Sequence, residues 1–157
     1  MFENKRHLVG ICGLYCGTCP NYLAFRIKDT DTLNRLSQSK DMPIEDVRCD
    51  GCLSDHVSKH CEACRHGFRD CADSHGVTWC FECDMFPCQR LKDFQDVHVV
   101  NEISHHEHVI EDLAYMKTHG VEDWIQIQEE RSKCPTCGAV SYWYERECPT
   151  CNPPRRK

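Results

Sequence analysis

The sequence predicts a small metal-stabilised α+β fold, made of a cysteine-rich multi-zinc domain with short helices, a helical hairpin and a C-terminal zinc ribbon. Fifteen of the 157 residues are cysteine, and only 40% of the chain is apolar even when those cysteines are counted. A thin aliphatic core of this kind needs metals or disulfides to hold it. Most of the cysteines stand in C-x2-C pairs, a spacing that lets two thiolates hold one metal ion from a tight turn.

Metal is favoured over disulfide bonds by the way the cysteines are arranged. Their number is odd, and all but Cys71 and Cys88 lie in C-x2-C pairs or in one C-x3-C-x2-C run. The N-terminus, MFENKRHLVG, is charged and lacks the apolar segment of a signal peptide. No stretch reaches the length of a membrane helix. The sequence therefore predicts a cytoplasmic protein that makes no membrane contact and whose thiolates bind metal.

The charge of the chain argues against nucleic acid as a partner. The formal net charge is −6 at neutral pH, and every Zn²⁺ held by four thiolates adds a further net −2. Repulsion from phosphate groups follows. The basic residues Lys59, Arg65 and Arg69 are expected to be solvated or paired with Glu62 and Asp70.

The first cysteine motif is CGLYCGTCP at residues 12–20, which holds Cys12, Cys16 and Cys19. This C-x3-C-x2-C pattern also resembles the cluster-binding motif of radical S-adenosylmethionine enzymes. Such enzymes resemble large α/β barrels, and no strand and helix alternation follows the motif here. A metal knuckle completed by a fourth ligand from elsewhere is the favoured interpretation.

Two short helices are expected after this motif. Pro20 suits the first turn of a helix that continues through Ile27. Thr30 or Asp31 is a suitable N-cap for a second helix carrying Leu33 and Leu36. Residues 43–47 are expected to form a turn that leads into the Cys49 knuckle, where Gly51 allows backbone N–H groups to point at the sulfurs.

Sequence proximity suggests three central metal sites. One set is Cys49, Cys52, Cys61 and Cys64; a second is Cys71, Cys80, Cys83 and Cys88; a third is Cys12, Cys16 and Cys19, with a fourth ligand from His56, His60, His66 or His75. Interleaved pairing is common in modules with several metals, so the grouping stays open at this stage.

A helical hairpin is predicted after the central cysteines. Apolar residues at three- and four-residue spacings indicate one helix over residues 93–117, ended by Gly120, and an antiparallel second helix over 121–132. His105, His106 and His108 fall in the first of these helices. His105 and His108 share a helical face with Asp112, which would suit a metal, but a polar face turned to water is the favoured interpretation.

The C-terminal unit carries the most specific motif. Two C-P-x-C knuckles, Cys134 with Cys137 and Cys148 with Cys151, are joined by a short β segment in which Val140, Tyr142 and Tyr144 alternate. This arrangement predicts a zinc ribbon, with rubredoxin-like iron as the alternative because the ligands are the same four thiolates. Tyr142 and Trp143 are expected to shield its metal.

These features divide the chain into four parts: a multi-metal domain at 1–92, a helical hairpin at 93–132, a zinc ribbon at 133–152 and a flexible tail at 153–157.

The chain contains no nucleophile elbow, no H-E-x-x-H, no P-loop and no G-x-G-x-x-G. No catalytic residues are assigned, and a non-enzymatic role is favoured.

The ordered cysteine motifs resemble a known family. CGLYCGTCP, then RCDGC, then CEACRHGFRDCADSHGVTWCFECDMFPC are similar to the cysteine-rich family called domain of unknown function 3795. The GVEDW helix and the closing KCPTCGAVSYWY resemble long members of that family. The resemblance implies a small bacterial or archaeal protein that binds zinc, and it implies no reaction.

Function is therefore expected to be a zinc-binding structural module that acts through a protein partner and holds several zinc ions. The alternative is iron–sulfur electron transfer, or metal and redox handling, centred on Cys12, Cys16 and Cys19, because cysteine thiolates are the usual ligands of such clusters.

Overall fold

The computed structural model of the protein describes residues 4–95 and 98–154. Short helices account for most of its regular structure, and one small hairpin is its only sheet within those ranges. The helices are α1 (Pro20–Arg26), α2 (Thr30–Lys40), α3 (Ile44–Val47), α4 (Lys59–Glu62), α5 (Phe68–His75), α6 (Gln89–Phe94), α7 (Val109–His119) and α8 (Val121–Ser132). The strands are β1 (Val99–Val100) and β2 (Ile103–Ser104), which pair antiparallel.

The first two predicted helices are present, with a different cap for the second. Pro20 occupies the first turn of α1, as its sequence position predicts. The N-cap of α2 is Asp29, whose carboxylate accepts a hydrogen bond from the Thr32 backbone N–H at 3.0 Å, so the expected cap at Thr30 or Asp31 was wrong. The predicted turn at residues 43–47 is the single helical turn α3.

Asp29 also links α2 to the far end of the chain. Its second carboxylate oxygen accepts a hydrogen bond from the Tyr142 hydroxyl at 2.7 Å. The backbone N–H of Thr32, then the hydroxyls of Thr32 and Tyr142, lower the pKa of Asp29 below its usual range. A lowered carboxyl pKa gives stabilisation that is present at neutral pH and is lost as the pH falls through the folded-state value.

We expect Asp29→Ala to lower the free energy of unfolding at pH 7 by about 1–2 kcal/mol, the usual effect of losing a helix cap. At a pH below the folded pKa of Asp29, the difference between wild type and variant should shrink, because the wild-type carboxyl is then protonated. Urea unfolding at the two pH values measures both effects. Asp31→Ala, an exposed acid in the same helical turn, is the matched control, and equal losses in both variants would contradict the assignment.

The helix predicted over residues 93–117 was wrong for the first part of its length. Helix α6 ends at Phe94, and the β1–β2 hairpin precedes α7, which begins only at Val109. The hairpin turns at Asn101 and Glu102, whose φ values of 52° and 60° are left-handed, as the tightest hairpin turns require. β-branched Val99, Val100 and Ile103 favour strands. Residues 96–97 of the predicted helix lie outside the described residues.

The second helix of the predicted hairpin is confirmed over residues 121–132. Gly120, with φ of 98°, stands alone between α7 and α8, and it ends the first helix and begins the second. The two helices pack on each other through the main core.

None of the helices in the described residues is long and apolar enough to cross a bilayer.

Two apolar clusters form the interior. The larger joins the N-terminal segment to α5, α6, α7 and α8 and includes Val9, Ile11, Phe68, Trp79, Leu91, Phe94, Leu113, Met116 and Trp124. Five cysteine side chains border it: Cys12, Cys52, Cys64, Cys80 and Cys88. The smaller cluster consists of Leu23, Ala24 and Leu33 from α1 and α2, covered by Tyr142. The cysteine groups therefore lie at the margins of the apolar core.

The C-terminal unit packs against the N-terminal half of the chain. Besides the hydrogen bond from Tyr142 to Asp29, the backbone N–H of Trp143 donates to the Thr18 carbonyl at 3.2 Å. Asn101 of the hairpin turn donates to the Tyr144 carbonyl at 3.1 Å. The expected β segment at Val140–Tyr144 is reduced to isolated bridges, Lys133 with Val140 and Glu147 with Pro154. The predicted tail lies outside the described residues from residue 155 onward.

Candidate metal centres

All fifteen cysteines are free thiols. Among the described cysteines, only the C-terminal four have sulfurs that all lie within 4.8 Å of one another, and the other eleven form two looser groups, one around a shared cavity and one of electrostatically interacting buried thiols. The C-terminal group is Cys134, Cys137, Cys148 and Cys151; the middle group is Cys71, Cys80, Cys83 and Cys88; the seven-thiol group is Cys12, Cys16, Cys19, Cys49, Cys52, Cys61 and Cys64.

The C-terminal group has the geometry of a four-thiolate site. Its sulfurs all lie within 4.8 Å of one another, with Cys134 Sγ 3.5 Å from Cys151 Sγ and Cys137 Sγ 3.6 Å from Cys148 Sγ. A tetrahedral ion with metal–sulfur bonds of about 2.3 Å requires separations of this size. These four residues can therefore hold a metal ion.

The two knuckles of this group are built alike. The Thr136 N–H donates to Cys134 Sγ and the Thr150 N–H donates to Cys148 Sγ, both at 3.4 Å. Hydrogen bonds from backbone N–H groups, first that of Cys137 and then that of Thr136, lower the pKa of Cys134 to about 6. Because metals bind the thiolate form, this sulfur is prepared as a ligand at neutral pH.

The middle group matches the second predicted set. Its four cysteines line a small cavity of about 30 Å³ together with Phe68 and His75. Burial, followed by the charges of Cys88, Cys71 and Cys83, raises the pKa of Cys80 to about 12. A bound cation would instead lower the pKa of this thiol, because its positive charge stabilises thiolates that otherwise repel one another. Cys71 comes from α5, Cys80 begins a short 3-10 turn at Cys80–Glu82, and Cys83 and Cys88 lie between that turn and α6.

The seven-thiol group merges the two other predicted sets. Burial raises the pKa of Cys16, and the neighbouring sulfurs of Cys52, Cys19 and Cys49 raise it further. Burial, followed by the electrostatic effects of Cys19 and Cys49, raises the pKa of Cys61 to about 12. The CGLYCGTCP motif thus faces the two central knuckles rather than a histidine. The four candidate histidines, His56, His60, His66 and His75, are all exposed.

Backbone geometry around the Cys49 knuckle fixes these sulfurs in place. The Gly51 N–H donates to Cys49 Sγ at 3.3 Å, as its position in the knuckle predicts. Gly51 has φ of 118°, and a Cβ there would lie 2.3 Å from the His7 carbonyl oxygen, so only glycine fits. The Cys49 N–H donates to the Asn21 carbonyl at 3.0 Å, which ties the knuckle to α1.

Arg69 is a supporting residue that the sequence analysis missed. Its guanidinium donates to the Cys52 carbonyl at 2.7 Å, to Cys52 Sγ at 3.5 Å and to the Cys61 carbonyl at 3.2 Å. The expected solvation or pairing of Arg69 with an acid was therefore wrong. Its position in the sequence carries no signal for this role. Only the fold brings α5 against both knuckles.

We expect Arg69→Gln to weaken metal binding in the seven-thiol group by about 10–100-fold, the usual effect of losing a group that orients metal ligands. Competition with a chromophoric zinc chelator measures the change, and the metal count of the C-terminal group should not alter. Arg65→Gln is the matched control, because Arg65 is an exposed arginine four residues earlier. If both variants bind metal as the wild type does, Arg69 has no role at the site.

The histidines after residue 97 are arranged differently from the prediction. Helix α7 begins after His108, so His105 and His106 do not form a helical face, and only His108 of the three is exposed. Burial lowers the pKa of His105 to about 3 and that of His106 to about 4. The expected polar face turned to water was therefore wrong for these two residues.

The histidine cluster consists of His98, His105 and His106, whose ligand nitrogens lie within 4.8 Å of one another. Trp143, expected to shield the ribbon metal, instead stacks on His105 with ring centroids 4.0 Å apart. Tyr142 likewise faces α1 and α2 rather than the ribbon cysteines. No sequence signal pairs the hairpin with Trp143, which lies far along the chain.

Comparison with known proteins gives one match. The model of a family described as Protein of unknown function (DUF3795) matches residues 8–93, which include the seven-thiol and middle groups. No curated protein and no solved structure matches the chain. The C-terminal group and the histidine cluster lie beyond the matched residues.

Proposed function

The chain belongs to the DUF3795 family, and we propose that it is a zinc-stabilised module that works by binding another protein. The observation that carries the proposal is the C-terminal group of four thiols within 4.8 Å of one another, together with further free thiols at the margin of a thin core. Free thiols in such number persist in a reducing compartment, which favours the cytoplasm of a bacterium or archaeon.

Zinc suits the ligand sets better than other common ions do. All the grouped ligands are thiolates, which select soft or borderline metals and exclude Mg²⁺ and Ca²⁺. Zinc with four thiolates forms a closed site that has no position for a substrate, which favours a structural over a catalytic role. Binding of the metal then supplies folding free energy that the core does not.

Within the seven-thiol group we propose two interleaved sites. Cys49 interacts electrostatically with Cys16, Cys19 and Cys61, so these four thiolates would make one set, with Cys52 as a further neighbour. Cys12 interacts electrostatically with Cys52, with Cys80 of the middle group and with Cys64, and the second set would be Cys12, Cys52 and Cys64 with Cys80. Each proposed site takes sulfurs from the N-terminal motif and from both central knuckles, so its metal would hold distant segments together.

Metal analysis of the native protein tests the proposal. Elemental analysis and native mass spectrometry should find at least one zinc ion for each of the three cysteine groups. Removal of zinc with a chelator should abolish the near-ultraviolet circular dichroism of the aromatic core. A metal-free protein that keeps its full tertiary signal would overturn the structural role.

The partner part of the proposal is supported by the exposed apolar side chains. Met85 is 66% exposed and lies beside the middle group, and Ile27 is 50% exposed. Methionine is common at protein-binding surfaces because its flexible thioether adapts to a partner. The negative net charge favours a protein over a nucleic acid.

Iron–sulfur electron transfer is the second candidate. Cys12, Cys16 and Cys19 lie beside four further thiols, so a fourth cysteine ligand for a cluster is within the same group. A brown protein with broad visible absorption after anaerobic purification would favour this candidate. A colourless protein that contains zinc would exclude it.

A further inference from the structure

The histidine cluster lies outside every cysteine group and needs an explanation of its own. Its residues flank the β1–β2 hairpin, where the His105 backbone N–H donates to the His98 carbonyl at 2.9 Å and fixes the two residues side by side. The ligand nitrogens of the three imidazoles lie within 4.8 Å of one another, and His105 and His106 give up hydration that a shared ligand would replace. We propose that His98, His105 and His106 bind one divalent transition-metal ion.

The hydrogen bonding of His106 prepares it as a metal ligand. Its Nδ1 lies 2.9 Å from the Phe94 carbonyl oxygen, which can only accept, so the proton resides on Nδ1. The lone pair is then on Nε2. Metal-binding histidines commonly donate their other ring N–H to a backbone carbonyl in this way, which fixes both the tautomer and the ring orientation.

Aromatic stacking holds two of the three rings in place. His106 stacks on Phe94 with centroids 3.8 Å apart and planes 17° apart. His105 stacks on Trp143 at 4.0 Å and 6°. Side chains that are fixed before the metal arrives lose little entropy on binding. The indole of Trp143 comes from the C-terminal unit, so the cluster is complete only when that unit is packed.

Three nitrogen ligands identify the class of metal. Imidazole suits Zn²⁺, Ni²⁺, Co²⁺ and Cu²⁺, whereas Mg²⁺ and Ca²⁺ prefer oxygen. Three protein ligands also leave a position of a tetrahedral ion for water or a small molecule, as catalytic rather than structural zinc sites do. His105 and Trp143 line a cavity of about 540 Å³, which gives such a molecule room beside the site.

Co²⁺ titration of the full chain with its native metals tests the site. We expect the protein to bind one equivalent of Co²⁺ beyond its native metals, counted by native mass spectrometry, and to lose tryptophan fluorescence because Trp143 adjoins the ion. His98→Ala should weaken this binding by about 100-fold or more. Loss of a residue that only hydrogen-bonds to a metal ligand costs roughly 10–100-fold in affinity, and loss of a ligand itself should cost more. The zinc count should stay constant.

His108→Ala is the matched control, because His108 is an exposed histidine of the same segment that lies outside the cluster. It should bind Co²⁺ as the wild type does. The proposal is overturned if the wild type binds no additional ion, if His98→Ala retains wild-type affinity, or if both variants lose affinity equally. His98→Asn, which keeps a polar side chain at this exposed position, replaces His98→Ala if that variant does not fold, and the same outcomes decide.

Discussion

Replacing Cys61 by serine is expected to release a metal ion and to unfold the centre of the protein. Cys61 lies in α4 and interacts electrostatically with Cys19 and Cys49, so its loss leaves the proposed site with three ligands. A structural zinc ion contributes on the order of 10 kcal/mol to folding, while whole domains are stable by only about 5–15 kcal/mol. The loss of one such site can therefore exceed the net stability.

Native mass spectrometry should show this variant lacking at least one zinc ion, and its near-ultraviolet circular dichroism should collapse. Glu62→Gln is the matched control, because Glu62 is the exposed neighbour in α4 and forms with Lys59 a surface ion pair of little energetic effect. A folded Cys61→Ser protein with unchanged zinc content would show that Cys61 is not a ligand.

Replacing Cys148 by serine is expected to release the metal of the C-terminal group and to loosen α1 and α2 as well. The sequence alone predicts that loss of a ribbon cysteine affects only the ribbon. In the structure, however, Tyr142 covers Leu23, Ala24 and Leu33 and donates to Asp29. Withdrawal of a buried aromatic side chain costs about 3–5 kcal/mol.

Hydrogen exchange measured by mass spectrometry separates the two outcomes. Faster exchange in residues 20–40 as well as in 133–154 indicates that the ribbon supports the N-terminal helices, whereas a change confined to 133–154 contradicts that view. Thr150→Ala provides the control, because this exposed side chain lies in the same knuckle and the backbone N–H that donates to Cys148 Sγ is retained.

The sequence was informative wherever a structural rule acts locally. Pro20 predicted the start of α1, Gly120 predicted the boundary between α7 and α8, and the position of Gly51 predicted its hydrogen bond to a cysteine sulfur. The C-x2-C pairs predicted the C-terminal group for the same reason, since both sulfurs of a knuckle come from one turn.

Contacts between distant segments left no readable signal in the sequence. Nothing in the residues around Arg69 indicates that it donates to the carbonyls of Cys52 and Cys61. The assignment of the central cysteines to individual metal sites depends on how the CGLYCGTCP motif packs against the later knuckles. The spacing of cysteines along the chain does not encode that packing. The hairpin at 99–104 was missed because its apolar residues also fit a helical pattern, and the left-handed turn at Asn101 and Glu102 decided between them.

The packing of Tyr142 on α1 and α2 has a consequence for synthesis of the chain on the ribosome. The helices emerge early, but the residue that covers Leu23 and Leu33 is translated more than a hundred residues later. During that interval their apolar surface stays open to aggregation or to chaperones, as in other proteins that wait for a late segment. A chain that stops before residue 133 would leave that surface permanently uncovered, and a cell would be expected to degrade it.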